Sequence, residues 1–291
     1  MKVSKVLAHQ SSYSRSNFGS IFNFLFLTVL AIAMALPMVF TISNAFKPLD
    51  ELFVFPPRLW VVNPTLNNFS GISSILRDSW VPLMRYIINS VVITLVGVIG
   101  QVIFASMAAY VLAKEKFPGS NLLNSVVVIS LMFNGTVTVI PGYIVMTKLG
   151  IVNTHWALIL PACASSLGLF LMRQFMEQMI PTTIIEAARI DGSGELRIFF
   201  QVVMPICKPA WLTLIILSFQ SLWGNAGGMY IYSEAKKTLP SVMQNIISGG
   251  TIARSGVSAA VALLLIIPPL VTFIISQSNI LETMSTSGMK E

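Results

Sequence analysis

Long apolar runs alternate with polar stretches along this chain, at residues 21–42, 86–113, 122–146, 156–172, 209–224 and 256–277. Each approaches or exceeds the roughly 20 residues that a helix needs to cross a hydrocarbon layer about 30 Å thick. None carries Asp, Glu, Lys or Arg in its interior. The pattern predicts an all-α polytopic membrane protein with six transmembrane helices. Pro141-Gly142 falls inside the third run, where a broken backbone is tolerated only against protein or a wet cavity. There is no internal repeat and no low-complexity tract.

Composition agrees with that reading. Of 291 residues, 55% are hydrophobic and only 10% are charged, against about 25% charged in soluble domains. A net charge of +7 is spread over the loops. It fits membrane flanks and anionic lipid headgroups rather than the clustered basic face of a nucleic-acid binder. Lys2, Lys5 and Arg15 precede the first run, and Lys114 and Lys116 separate the second from the third. Both groups fit a cytoplasmic position under the positive-inside rule. An even number of spans then puts both termini inside, together with the 173–208 loop. Arg58, Arg77, Arg85, Lys148, Lys236, Lys237 and Arg254 fall outside, some of them in a long loop where the rule is weak.

The chain therefore divides into an N-terminal tail (1–20), a first transmembrane helix (21–42), an extracytoplasmic segment (43–84), a core (85–277) and a C-terminal tail (278–291). Both tails are placed in the cytoplasm. Pro56-Pro57, Asn63-Pro64 and Asn67-Asn68 mark turns in the external segment, and Leu59-Trp60-Val61-Val62 is placed at the membrane interface. Ala31-Ile32-Ala33 resembles a signal-peptide cleavage site, but the apolar run continues to Ile42 and is too long for one. Cys163 and Cys207 form no CxxC pair, and His9 and His155 are the only histidines, so no metal site is expected.

The most informative stretch is 181–209, PTTIIEAARIDGSGELRIFFQVVMPICKP, with Arg173 and Glu177 just upstream. Thr183-x-x-Glu186 has the spacing of a capping box. The helix it opens is expected to run to about Ile190 and stop at Asp191-Gly192, where glycine can take the left-handed conformation. Ser193 is placed to cap a second helix with Glu195 in its first turn. Leu196, Phe199, Phe200 and Val203 form its apolar stripe, and Pro205 and Pro209 interrupt it before the fifth run.

In order, Glu186-Ala187-Ala188, three residues, Gly192, nine residues, then Val202, Met204 and Pro205 resemble the EAA loop of ABC-importer permeases. Val stands for Ile and Met for Leu. Further text resembles the carbohydrate-uptake branch, the maltose-transporter permease-like family, from about Arg85 to Ser276. It includes Gly150-Ile151-Val152-Asn153-Thr154 before Ala157-Leu158-Ile159-Leu160-Pro161, and the Ile190-Asp191-Gly192 form of the loop. Pro64-Thr65-Leu66-Asn67-Asn68-Phe69 is similar to the external segment of such permeases. In Ser221-Leu222-Trp223-Gly224-Asn225 a Gly separates the usual Trp-Asn. The tail Glu282-Thr283-Met284-x-x-Ser287-Gly288-Met289-Lys290-Glu291 resembles importers of oligosaccharides and polysaccharide fragments.

The resemblance implies a permease subunit of a binding-protein-dependent importer in a bacterial or archaeal inner membrane. It implies a second homologous permease subunit, cytoplasmic ATPase subunits, an extracytoplasmic solute-binding protein, a carbohydrate substrate and surrounding lipids. Loop 181–205 would couple to the ATPase through Glu186, Ala187, Ala188, Asp191, Gly192, Arg197 and Pro205. No G-x-x-x-x-G-K-[ST] occurs, so ATP and Mg are assigned to a partner and none to this chain. No catalytic cluster is present and no enzyme activity is expected. A sugar needs neutral hydrogen-bonding groups and aromatic platforms, which makes Asn134, Tyr143, Gln220 and Trp223, with Asn89 and Gln101, candidates for the substrate path. Interhelical hydrogen bonding is the competing role for each. A permease for another solute is the alternative. An ion-coupled secondary transporter would want intramembrane charge or inverted repeats, and neither occurs.

Overall fold

The computed structural model describes residues 17–76, 81–133, 135–248 and 255–287. Its helices, in order, are α1 (Asn17–Phe46), α2 (Leu49–Leu52), α3 (Asn67–Ile75), α4 (Leu83–Lys114), α5 (Ser120–Ser130), α6 (Gly135–Lys148) and α7 (Trp156–Cys163). Then follow α8 (Ser166–Met179), α9 (Thr182–Ile190), α10 (Glu195–Ile198), α11 (Met204–Ile206), α12 (Lys208–Trp223), α13 (Leu239–Ser248) and α14 (Ser255–Ser287). No strand occurs among the described residues.

Four stretches are helical, long and apolar enough to cross a membrane: Ile21–Phe46, Leu83–Lys114, Trp156–Met179 and Ser255–Gln277. The first outruns the expected 21–42, and α14 continues past 277 to Ser287. The fifth run is α12, which meets the helical turns ahead of it at 82°. Pro205 and Pro209 flank that bend, and neither can supply the backbone N–H a continuous helix needs. The third run is not one helix. It is the shorter pair α5 and α6, parted around Leu131–Phe133. The break lies upstream of Pro141, which sits inside α6. Gly135, among the poorest helix formers, begins the second piece.

Helix α4 is the spine. Its buried positions include Tyr86, Asn89, Ser90, Ile93, Gly97, Gln101, Ala105 and Ala109, a stripe recurring every three to four residues. Ser90, Gly97, Ala105 and Ala109 are small, which lets neighbouring helices approach closely. A Cβ on Gly97 would lie 2.6 Å from Leu222, and one on Gly100 2.6 Å from the Cys163 sulfur. One apolar cluster joins the C-terminal half of α4 to α8, α9, α10 and α12, through Met172, Met176, Ile185, Ile198, Val203 and Leu214. A second lies at the other end, where Tyr86 meets Ala45, Ile72, Val242, Ile246, Ala260 and Val261.

That second end is held by polar ties. The Tyr86 hydroxyl donates to Glu234 at 2.9 Å, and Asn89 Nδ2 to the carbonyls of Ala235 and Lys237. The Leu239 N–H donates to Ser90 Oγ at 2.8 Å. Asn153, at φ 61°, donates to the Tyr230 carbonyl and accepts from Ser233 N–H and Lys236 Nζ. Buried Lys47 donates to Asn44 Oδ1 at 3.0 Å and to the Arg58 carbonyl.

Asn68 Nδ2 donates to the carbonyls of Ala45 (3.0 Å) and Lys47 (2.7 Å). Its amide fits because Gly256 has no side chain: a Cβ there would lie 2.4 Å from Asn68 Oδ1. Gly256→Ala should push the amide away and cost about 1–3 kcal/mol for the carbonyls left unpaired. Thermal unfolding in detergent should show this. The pair should be non-additive, with Gly256→Ala adding little once Asn68→Ala is present.

Candidate functional site

The segment from Pro181 to Pro205 packs against the C-terminal end of α4. Helix α9 runs from Thr182 to Ile190, and Asp191-Gly192 ends it with Gly192 at φ +78°. The N–H of Gly192 donates to the Arg189 carbonyl, and that of Ser193 to the Ala188 carbonyl, both at 3.0 Å. The expected helix, its stop and its left-handed glycine are all present. Open space surrounds Gly192, with nothing within 4 Å of where a Cβ would stand.

The expected caps are absent. Pro181, extended at φ −65° and ψ 137°, is the N-cap of α9, and no side-chain cap bond forms. Proline's preset φ suits the residue entering the helix. The helix therefore starts before Thr183, which lies within its first turn and cannot cap it. Likewise Gly194, not Ser193, precedes α10, again without a side-chain cap. The predicted stripe also splits. Phe199 and Val203 are buried with Ile198, whereas Leu196 and Phe200 are exposed. A five-residue π turn, Phe199–Val203, shifts the helical phase and separates them.

The outer face of this unit presents Glu186, Ala187, Ile190, Asp191, Arg197 and Pro205, all exposed. Ala188 turns inward onto the core. Glu186 makes no ion pair or hydrogen bond among the described residues, so its carboxylate is available to a partner. Arg197 Nε–H donates to Gln201 Oε1 at 2.9 Å.

The inner side carries residues to which the sequence assigned no coupling role. Arg189 Nε–H donates to Glu195 Oε1 at 2.6 Å, and its Nη2 pairs with Glu115 Oε1. The Tyr110 hydroxyl donates to Glu195 Oε2 at 2.8 Å. The hydrogen bonds to Glu195 and Glu115 raise the Arg189 guanidinium further above its usual range, so it stays charged. Lys114 Nζ donates to the Ile180 carbonyl at 2.6 Å, a cation at the C-terminal end of α8. Opposite charges just past the second run and within the loop were the available signal.

A cavity of about 350 Å³ lies among α4, the α7–α8 pair and α12. Its polar lining is Gln101, Ser165, Ser218, Ser221 and Asn225, with no charged group. Ser218 and Ser221 share one face of α12 by spacing, and Asn225 follows just past the helix end. Of the substrate-path candidates, Gln101 lines this cavity. Gly168 makes room for it, since a Cβ there would be 3.0 Å from Gln101 Nε2. Tyr143 stacks on Tyr230 at 6.2 Å, Gln220 is exposed away from the cavity, and Asn89 is used in the ties at the Tyr86 end. Asn134 lies outside the described residues. Among those described, no group of His, Cys, Asp or Glu could hold a metal.

Residues 101–282 match the family described as binding-protein-dependent transport system inner membrane component. Protein LplC of Bacillus subtilis (strain 168) is 31% identical over 231 residues, covering 77% of this chain and 74% of that protein. The polygalacturonan/rhamnogalacturonan transport system permease protein YtcP of the same organism is 27% identical over 224 residues, 76% of each. In fold, the chain is similar to one in a crystal structure of a bacterial ABC transporter involved in import of the acidic polysaccharide alginate. The TM-score is 0.79 at 23% identity, covering 91% of this chain and 98% of that one.

Trp223 is buried, and its indole N–H donates to the Leu265 carbonyl at 2.9 Å. That carbonyl's helical donor would be residue 269, which is proline and has no N–H. The indole thus replaces the bond that Pro269 removes from α14. Trp223→Phe should leave the carbonyl unpaired and destabilise the fold by about 1–3 kcal/mol. Denaturation in detergent should register the loss, while the solutes accepted by the folded protein stay the same.

Proposed function

The chain belongs to the binding-protein-dependent transport system inner membrane component family, and we propose from this premise that it is the permease subunit of an ATP-driven importer of an oligosaccharide. The similarity to a polygalacturonan and rhamnogalacturonan permease and the uncharged, hydroxyl- and amide-lined cavity support a carbohydrate. The proposed topology has six spans. Four are the full-length helices, the fifth is α12 behind its bend, and the sixth is the broken α5–α6 pair. Both termini then face the cytoplasm, as does the 181–205 loop.

In this reading two ATPase subunits bind ATP and Mg on the cytoplasmic side, and this chain binds neither. A second, homologous permease subunit completes the path. A solute-binding protein delivers the sugar from outside, and lipids surround the assembly. ATP binding draws the ATPases together, and the docked loop carries that displacement into the bundle. The observation that carries the assignment is the exposed outer face of α9 and its glycine stop, on the same segment whose inner face packs into the bundle. Glu186 offers a free carboxylate, and Gly192 sets the angle to α10.

Deleting the gene should abolish growth on one oligosaccharide, neutral or uronic-acid-containing, and leave amino-acid and metal uptake intact. A selective amino-acid or metal defect would contradict the substrate class.

Loop variants test the coupling. A left-handed conformation costs a residue with a Cβ roughly 1–2 kcal/mol, and at Gly192 that backbone cost stands alone because the surroundings are open. Gly192→Val should therefore distort the turn and lower uptake sharply at normal abundance, whereas Gly192→Asn should be tolerated. Glu186→Lys should do the same by charge alone, since Glu186 caps nothing. Wild-type uptake by both Gly192→Val and Glu186→Lys would show that the loop is not the coupling element.

A further inference from the structure

We propose that Arg189 is a positioning residue that transmits the loop's displacement into α4, by clamping a carboxylate from each of two elements. The inference rests on the coupling reading of the loop and adds the route by which motion leaves it.

Arg189 lies on α9, one turn beyond Glu186. Its guanidinium is shared between Glu195, in the first turn of α10, and Glu115, the C-cap residue of α4. Tyr110, buried on α4, approaches Glu195 from the other side. Three elements thus meet at one cation, and two of the links end on α4. A planar, forked guanidinium can bridge two carboxylates in fixed geometry, which a lysine cannot.

Stability does not explain this arrangement. The three ionic side chains are 38%, 38% and 54% exposed, and exposed pairs add little to folding. The loop also packs on α4 through Ile185, Ile198 and Phe199, but the packing thins out beside the clamp. A hollow of about 280 Å³ lies there, walled by Met107, Val111, Leu196 and Phe199, and the Tyr110–Phe199 ring contact at 5.9 Å is on its other side. On the side of the hollow, the ionic bridge is the link between α9 and the C-cap residue of α4. Farther along the same α4 stripe, Gln101 lines the cavity, so a displacement of the α4 end is delivered to the cavity wall. Coupling of this kind is a free energy between two sites, which small local contacts can set.

The experiment uses the assembled transporter, with ATPase and partner permease, in lipid nanodiscs. Spin labels on α4 at Ile103 and on α14 at Val271, both exposed, are placed after Cys163 and Cys207 are replaced by Ser. The probe is ATP with vanadate, and hydrolysis is measured on the same samples. The expected wild-type result is a change in the α4–α14 distance on trapping. Arg189→Ala and Glu115→Gln should keep ATP hydrolysis and assembly while losing that change. Arg189→Lys should restore it in part. The reciprocal exchange Glu115→Arg with Arg189→Glu should restore it when made with Glu195→Gln, so that the reversed side chain meets no like charge. If Arg189→Ala keeps the full distance change while Gly192→Val abolishes it, the clamp is not the route and the coupling reading survives. If Gly192→Val and Glu186→Lys also keep the change, the coupling reading fails and takes the clamp with it. Loss of assembly in Arg189→Ala without rescue by the exchange, or no distance change in the wild type, would equally overturn the proposal.

Discussion

One stripe of small residues on α4 sets the terms for the rest of the molecule. Within lipid there is no hydrophobic gain in bringing apolar helices together, so association must come from close packing and hydrogen bonds. Gly97 and Gly100 let α12 and α7 approach to distances that a methyl group would forbid. Ala105, Ser106 and Ala109 continue the stripe, and each is nearly inaccessible. The dispersion attraction between atoms at such distances is small for each pair and large in sum. The polar ties at the Tyr86 end and the ionic bridge at the Tyr110 end are both positioned by that approach.

The second constraint is that backbone polar groups need partners where water is scarce. The bundle answers case by case. Trp223 completes the ladder that Pro269 breaks. Lys114 closes the end of α8. Both side chains serve helices, and Trp223 lies in a motif that invites a functional reading. Location in a span is therefore a poor guide to role. What distinguishes Gln101 from Trp223 is whether its polar group is consumed or left facing a cavity.

Much of this was legible in the sequence. Three of the apolar runs became single long helices, α1, α4 and α14, and a fourth became the α7–α8 pair, because length and hydropathy are sufficient evidence for a span. The left-handed Gly192 was legible because few residues can end a helix that way. The caps were not, since Thr183-x-x-Glu186 is a spacing and a spacing does not know that Pro181 already defines the start of α9. The break expected in the third run at Pro141-Gly142 falls upstream instead, around Leu131–Phe133 and ahead of Gly135, while Pro141 is accommodated inside α6. The predicted stripe of α10 held only in part: Phe199 and Val203 turn inward, while Leu196 and Phe200 stay exposed, across a π turn that a straight-helix spacing does not anticipate. The clamp at Arg189 was the least accessible. Its bonded members stand 74 and 85 positions apart, and only the return of the loop to the end of α4 brings them together.

The packing of α1 has a consequence for biosynthesis. Its membrane-length segment has no buried residue in its most apolar window, and its helical neighbour is chiefly α14. That neighbour is made after all the other described helices. At roughly 5–20 residues per second, the ribosome takes tens of seconds to reach it after finishing α1. Throughout that interval α1 stands in lipid without its mate, retained by hydrophobicity alone. Its run of Phe, Leu, Ile and Met side chains is thus suited to waiting as much as to packing, and the bundle is sealed only when its two ends meet.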